Sequence, residues 1–429
     1  MKRIIIVALA VLAAVSCDRE VAVKEPLEVS SPSPSVQITK VSLNDTQKQY
    51  VKAGNVMALR FLGQMYHGEN FICSPLSLQY ALAMTACGAE GETLQEIIDF
   101  LGYGSDGIEA LNEYSKILLE QLPAVDLDVK LRMTDALLVN NKFPLRPEFS
   151  KTVRDSYYAA VENMDFADPA QVAARINDWA SRSTDGFISK LLSPVEISEN
   201  AAAFIMNALY FKAPWEGSEH NPMFREYATI DDKFTLADGK TRTVKMMQNM
   251  RWHSYAEMDG YKVLALPYAG GKFFMYILLP DSNDLGGLVD KLKGVSWESI
   301  LASLKNDAEV YVKLPKFEVE NKFYLKKDLM ALGVKRAFQT GVAQFDKMFS
   351  PQEMDYDYWI EEVIQKSRIS ITEWGTEAAA VTVVEMGATS AGPGEQPKRV
   401  NFYADHPFAF LIGEATSGTI LFEGAYTGR

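Results

Sequence analysis

The sequence predicts an α+β fold with large, partly antiparallel sheets, carried by one body. Three observations predict it. Strand-like runs are scattered among helical stretches without the strand–helix alternation of a parallel α/β sheet. No internal repeat recurs at a fixed period, which removes solenoids and propellers. Nothing from Asp45 onward reads as a linker dividing the body. The chain has 429 residues, 48% apolar and 23% charged, enough apolar mass for a sizeable core and unlike a disordered chain. Its 43 basic and 56 acidic residues leave a net charge of −13, which repels phosphate backbones and argues against nucleic-acid binding.

The elements follow in order. Lys2 and Arg3 precede an unbroken apolar run over residues 4–15. That run is too short for a hydrocarbon core of about 30 Å, but it suits a secretory signal. It ends in Ala14-Val15-Ser16-Cys17, followed by polar Asp18-Arg19-Glu20. This junction resembles a bacterial lipoprotein signal, although Ala14 stands where that pattern prefers Leu. The resemblance implies a signal peptide over 1–16 and a lipid on Cys17, with acyl chains anchoring the protein to a membrane. The outer membrane or cell surface is favoured, with the periplasmic face as the other orientation. Residues 17–44, with Pro26, Pro32 and Pro34, read as an extended tether. The folded domain is then 45–429.

From residue 45 to 66, Val56, Leu59, Leu62 and Tyr66 recur at helical spacing. Asn70-Phe71-Ile72-Cys73 reads as a short strand, broken at Ser74-Pro75, with Pro75 opening a helix. Residues 78–86 are so apolar that this helix is expected to be buried on most sides. Strands are expected near 131–139, 203–211, 262–266, 273–279, 309–312, 369–372, 378–384, 408–412 and 420–422. Helices are expected near 170–181, 285–292 and 324–332. Cys73 and Cys87 read as two small buried thiols.

Enzyme motifs are missing. The sequence has no GxSxG elbow and no phosphate loop, since Gly270-Gly271-Lys272 has the wrong spacing. There is no CxxC or HExxH, so no metal site is expected. His67, His220, His253 and His406 stand singly and read as local hydrogen-bonding groups. Their absence lowers the expectation of an enzyme without excluding one.

Five segments, in order along residues 45–429, resemble the serpin family of loop-insertion protease inhibitors. Asn70 through Ser77 looks like its first shutter segment. Asn207-Ala208-Leu209-Tyr210-Phe211-Lys212-Ala213-Pro214-Trp215-Glu216 looks like its central strand and breach tryptophan. Leu314-Pro315-Lys316-Phe317 with Leu332-Gly333, the hinge Glu373-Trp374-Gly375-Thr376-Glu377-Ala378-Ala379-Ala380, and His406 through Ile412 complete the set. The resemblance implies one domain with three β-sheets, eight or nine helices and an exposed reactive-centre loop over about 373–400. It implies a suicide substrate for serine proteases: the loop is cut, inserts as a new strand and traps the acylated protease. Cysteine proteases are included because they also pass through acyl-enzymes. A monomer without cofactor or metal is implied.

The loop residues can be tested against that expectation. In a strand, alternate side chains share a face. Thr376, Ala378, Ala380, Thr382 and Val384 are small or β-branched and uncharged. Glu377 and Glu385 fall in the other set, with Gly375, Ala379, Val381 and Val383. One face is therefore fit for burial, and Gly375 supplies backbone freedom at the pivot. The plain alternative is a resident strand. By position, Ser74, Ser77 and Asn207 match the shutter cluster and Trp215 the breach. Gln365 stands where the family often has histidine, and Trp374 is an unusual hinge residue. Counting 17 residues from Glu373, the family's usual spacing, places the reactive bond at Thr389–Ser390, which suits elastase-like proteases. Lys398 and Arg399 could draw trypsin-like enzymes into a substrate cut. The competing reading is a non-inhibitory carrier or chaperone lipoprotein on the same fold.

Overall fold

The structure, a computed structural model, describes residues 26–104, 106–218, 221–351, 357–376 and 398–429. The elements run α1 (Asp45–Met65), β1 (Phe71–Cys73), α2 (Pro75–Cys87), α3 (Gly91–Leu101), α4 (Gly107–Gln121), β2 (Lys130–Asn140), α5 (Pro147–Tyr157), β3 (Ala160–Met164), α6 (Pro169–Ser183) and β4 (Ala203–Pro214). They continue through β5 (Ile230–Thr235), β6 (Thr241–Trp252), β7 (Ser254–Met258), β8 (Tyr261–Pro267), β9 (Phe273–Pro280), α7 (Leu285–Leu292), α8 (Trp297–Ser303), β10 (Ala308–Pro315), β11 (Phe317–Tyr324) and α9 (Lys326–Ala331). The chain ends with β12 (Ile364–Thr372), β13 (Gly375–Thr376), β14 (Lys398–Tyr403), β15 (Phe408–Glu414) and β16 (Ile420–Tyr426).

Three sheets result. The first has strand order β11-β12-β13-β4-β2-β3, the second β1-β16-β15-β9-β8-β7, and the third β14-β10-β6-β5. Helix α2 lies between the first two sheets, in contact with β4 and β16. Its sequence explains this position. Ser74 caps it by accepting from Ser77 N–H, Pro75 fits the first turn, and the body carries no charge. Nearly every residue from Pro75 to Ala86 is buried, as expected for a helix apolar all round.

Period-two alternation gives the first sheet two apolar faces. Leu131, Met133, Leu137 and Val139 of β2 join the main core on the α2 side. Ala136 and Leu138 face a smaller cluster with Val172, Ile176 and Trp179 of α6. Leu27 is buried in that same cluster, its carbonyl accepts from Arg182, and Ile38 N–H bonds Ala124 O at 2.8 Å. The described part of the expected tether thus lies along the body.

The expected helix over 285–292 is α7. The strand expected at 369–372 is the end of the longer β12. The helix expected from 324 begins at Lys326, because Tyr324 is the last residue of β11. One expectation is corrected in α1: Leu59 and Leu62 are buried, but Val56 is 47% exposed. The buried stripe runs through Val51, Ala58, Leu62 and Met65, nearly half a turn from Val56. Cys73 is buried and Cys87 half-buried, both as free thiols. No described helix is long and apolar enough to cross a membrane.

Candidate functional site

The site is built where β12 turns back toward β4. Glu373 and Trp374 form the turn, and Gly375 and Thr376 form β13 between the two long strands. Thr376 pairs with Ile371 on one side and Ala213 on the other; Gly375 pairs with Thr372 and Pro214. Gly375 has φ 145°, and a Cβ there would collide with the Ala213 carbonyl and lie 2.7 Å from Pro214 Cα. Only glycine fits that conformation and that approach.

The turn is fastened at several points. The Trp215 indole N–H donates to Thr372 O at 2.8 Å, and Trp215 N–H donates to Trp374 O at 3.0 Å. The Trp215 ring stacks on Tyr268 at 4.6 Å and 6°, and Tyr268 and Thr376 share a hydrogen bond between their hydroxyls. Glu373 is buried, accepting from Lys316 Nζ at 2.9 Å and Thr229 Oγ1 at 2.7 Å. Burial alone would raise its carboxyl, but those bonds hold it below the usual carboxylate range. Trp374 is exposed, its indole N–H on Glu226 at 3.1 Å.

Below Thr376 the two long strands separate. Both are antiparallel to β13, so β4 and β12 run parallel, and no ladder joins them directly among the described residues. A cleft of about 230 Å³ lies between them, lined by Ala203 to Leu209 of β4, Ile364 to Ser367 of β12 and the α2 face at Ser74, Ser77 and Leu82.

A polar chain crosses beneath this cleft through the start of α2. Gln365 of β12 accepts from Ser74 N–H at 2.9 Å and donates to Ser74 O at 2.8 Å. Ser74 Oγ donates to Leu421 O at 2.7 Å and accepts from Ser77 N–H at 3.0 Å. Ser77 Oγ donates to Asn207 Oδ1 on β4, and Asn207 Nδ2 donates to Asp135 Oδ1 on β2 at 2.7 Å. Asp135 is wholly buried, and its other oxygen has no partner among the described residues. Burial pushes its carboxyl up to about 7, against the Asn207 bond that lowers it.

Cys17, Glu377, Ala378, Ala379, Ala380 and the Thr389–Ser390 bond lie outside the described residues. No acidic, histidine or cysteine cluster able to hold a metal occurs among the described residues. His253 and His406 make local bonds, to Asn249 at 3.1 Å and to Asp405 and Pro280 at 2.9 and 2.7 Å.

Residues 52–428 match the sequence profile described as serpin (serine protease inhibitor). The chain belongs to the serpin family. An uncharacterised serpin-like protein of Thermococcus kodakarensis is 33% identical over 92% of this chain and 90% of its own. The leukocyte elastase inhibitor of Xenopus tropicalis is 32% identical over 83% of this chain and 93% of its own. Among solved structures, the thermophilic serpin tengpin in its native state superposes with TM-score 0.78 at 27% identity, covering 93% of this chain and 98% of that one. Serpins are generally serine protease inhibitors rather than catalytic enzymes, and their fold is the architecture found here, with three sheets and nine α-helices among the described residues.

Sequence reasoning did not single out Asp135, Thr229 or Tyr268 of this serpin, nor a partner role for Lys316. Asp135 did leave a signal: a lone acid inside the apolar run 131–139. Thr229 and Tyr268 left none, because only the fold brings them to the hinge.

Proposed function

We propose that this serpin is a suicide-substrate inhibitor of serine endopeptidases, with cysteine proteases reachable by the same acyl-enzyme chemistry. The observation that carries the proposal is that two hinge residues sit as a strand between β4 and β12, with a cleft lined by both strands and α2 continuing below them among the described residues. Continuing the register pairs Glu377 with Lys212, Thr382 with both Asn207 and Gln365, and Met386 with Ala203, the first residue of β4. The uncharged set then faces α2 with Phe211 and Leu209, and Glu377 falls on the α6 side beside Lys212. The strand runs out three residues before Thr389–Ser390, so the slot length supports a reactive bond there. A strand gaining on the order of ten net hydrogen bonds contributes roughly 10 kcal/mol. That rivals the stability of an ordinary domain and is enough to deform a tethered protease.

The small Ala388 and Thr389 favour elastase-like targets. The export reading extends the proposal: Cys17 carries a lipid that holds the inhibitor on a bacterial membrane. Incubating the mature protein with an elastase-like protease should give a complex that survives denaturing electrophoresis. Mass spectrometry of the same sample should give a released fragment beginning at Ser390 and an acylated Cys17 amino terminus. Clean cleavage by every protease tried is the outcome of the non-inhibitory carrier and would end the inhibitor reading.

A further inference from the structure

Among the groups that bridge the two sides of the cleft, one is ionisable and buried without a countercharge. Asp135 sits on β2 directly opposite Asn207 of β4 in the ladder. Asn207 in turn is held by Ser77 of α2. If the slot is to accept a strand along its whole length, β12 and β4 must part. Because β4 and β2 are bound along their full ladder, they move together over α2, and the contact that breaks is Ser77 to Asn207. Asp135 travels with Asn207 and loses its cover as water enters the cleft.

We propose that Asp135 is a proton-operated positioning residue of the sheet lock: with its proton it lets the closed sheet hold Asn207 against Ser77, and losing the proton favours the open sheet. The proposal rests on the insertion reading above. Its physical basis is the cost of a carboxylate enclosed by apolar groups with one hydrogen bond and one bare oxygen. In the closed sheet that cost is met in full. In the open sheet water solvates the charge, so opening lowers the pKa and deprotonation favours opening.

The surroundings leave Asp135 as the titrating group. From β4 it meets neutral Asn207. From α2 it meets Tyr80, the titratable group set electrostatically against it. Around Tyr80 lie Tyr103, Tyr114 and Tyr157, and beside Tyr157 lies Cys87. Burial pushes all of these above their ordinary values, Cys87 to about 12, so they stay neutral where Asp135 titrates. Strand β3 begins one position further along, with Ala160 opposite Ala136. Burial sets Asp135 near 7 in the closed sheet, so both forms are populated around neutrality.

The test uses the full chain, nicked in its loop, with insertion followed by tryptophan fluorescence from pH 5 to 8. The wild-type rate should rise to about pH 7 and then level, by about tenfold for each unit that opening lowers the pKa. Asp135→Asn should remove the rise. If that variant does not fold, Ser77→Ala, which removes the latch and keeps the acid, should insert faster at pH 5 and keep the rise. A flat wild-type profile, a wild-type slope retained in Asp135→Asn, or a Ser77→Ala rate unchanged at pH 5 overturns the proposal. If nothing inserts at any pH, the inhibitor reading fails instead. The melting midpoint of the intact protein still reads Asp135: the folded state binds its proton more tightly than the unfolded chain, so the midpoint should fall from pH 5 to 7 in wild type. Asp135→Asn should lose that component. Asp126→Asn should remove only a component near 6, where burial places that carboxyl; loss of the whole slope in Asp126→Asn overturns the assignment.

Discussion

Glu373 shows how one side chain can hold a hinge. Its carboxylate is enclosed, 5% exposed, while the Lys316 ammonium bonded to it is 44% exposed. Water therefore screens the pair from one side, and the bond contributes less than a fully buried one. Glu373→Gln should cost about 1–2 kcal/mol at pH 7. The sign with pH follows from the depressed pKa: this stability is present above the unfolded carboxylate value and lost as pH falls through the folded one. Wild type and Glu373→Gln should converge in melting temperature as pH falls through the lowered folded-state value; a difference that persists at the acid end of that fall would mean the ion pair is not what holds the turn. Glu373, Gly375, Ser74, Ser77, Asn207 and Trp215 were legible in the sequence, because local motifs carry them; Gln365 was named by its position alone. Their partners Tyr268, Thr229 and Asp135 were not, since each comes from a distant segment that only the packed sheets bring close.

At the scale of elements, strand β13 carries the most consequence. Thr376 is 3% exposed and faces the α2 side with Ala213. An arginine there would place a charge beneath the first sheet with no anion among the groups around it: Tyr268, Ile371 and Ala213. Burying it costs several kcal/mol, comparable with half the proposed gain from insertion. Thr376→Arg should therefore slow insertion below the rate at which an acylated protease frees itself. Gel analysis should show cleaved inhibitor and active protease in place of complex; an undiminished yield of complex would show that a charge at this position does not limit insertion. Legibility at this scale followed amphipathicity. Strongly apolar strands such as β9 and β15 were evident, because both of their faces are buried. Strands β6 and β11 expose one face, with Glu318 and Glu320 of β11 outward and Phe317 and Val319 inward, and were lost among loop-like polar residues.

For the whole molecule, the proposed insertion makes the intact chain a state held by a barrier rather than by depth. The lock spans four elements, from Gln365 of β12 through Ser74 and Ser77 of α2 and Asn207 of β4 to Asp135 of β2. The hinge clamp at Trp215, Tyr268 and Lys316 closes the upper end. On the insertion reading, cutting the loop releases its amino-terminal part, and the slot fills once β12 and β4 part and Ser77 lets go of Asn207. A gain of roughly 10 kcal/mol, set against an unfolding entropy of about 2 cal/mol/K per residue, raises the midpoint by on the order of 10 °C for a domain this long. Calorimetry before and after a single nick in the loop should show that rise, with the covalent mass unchanged apart from one water. An unchanged midpoint would leave the serpin fold intact and remove the stored energy on which inhibition depends.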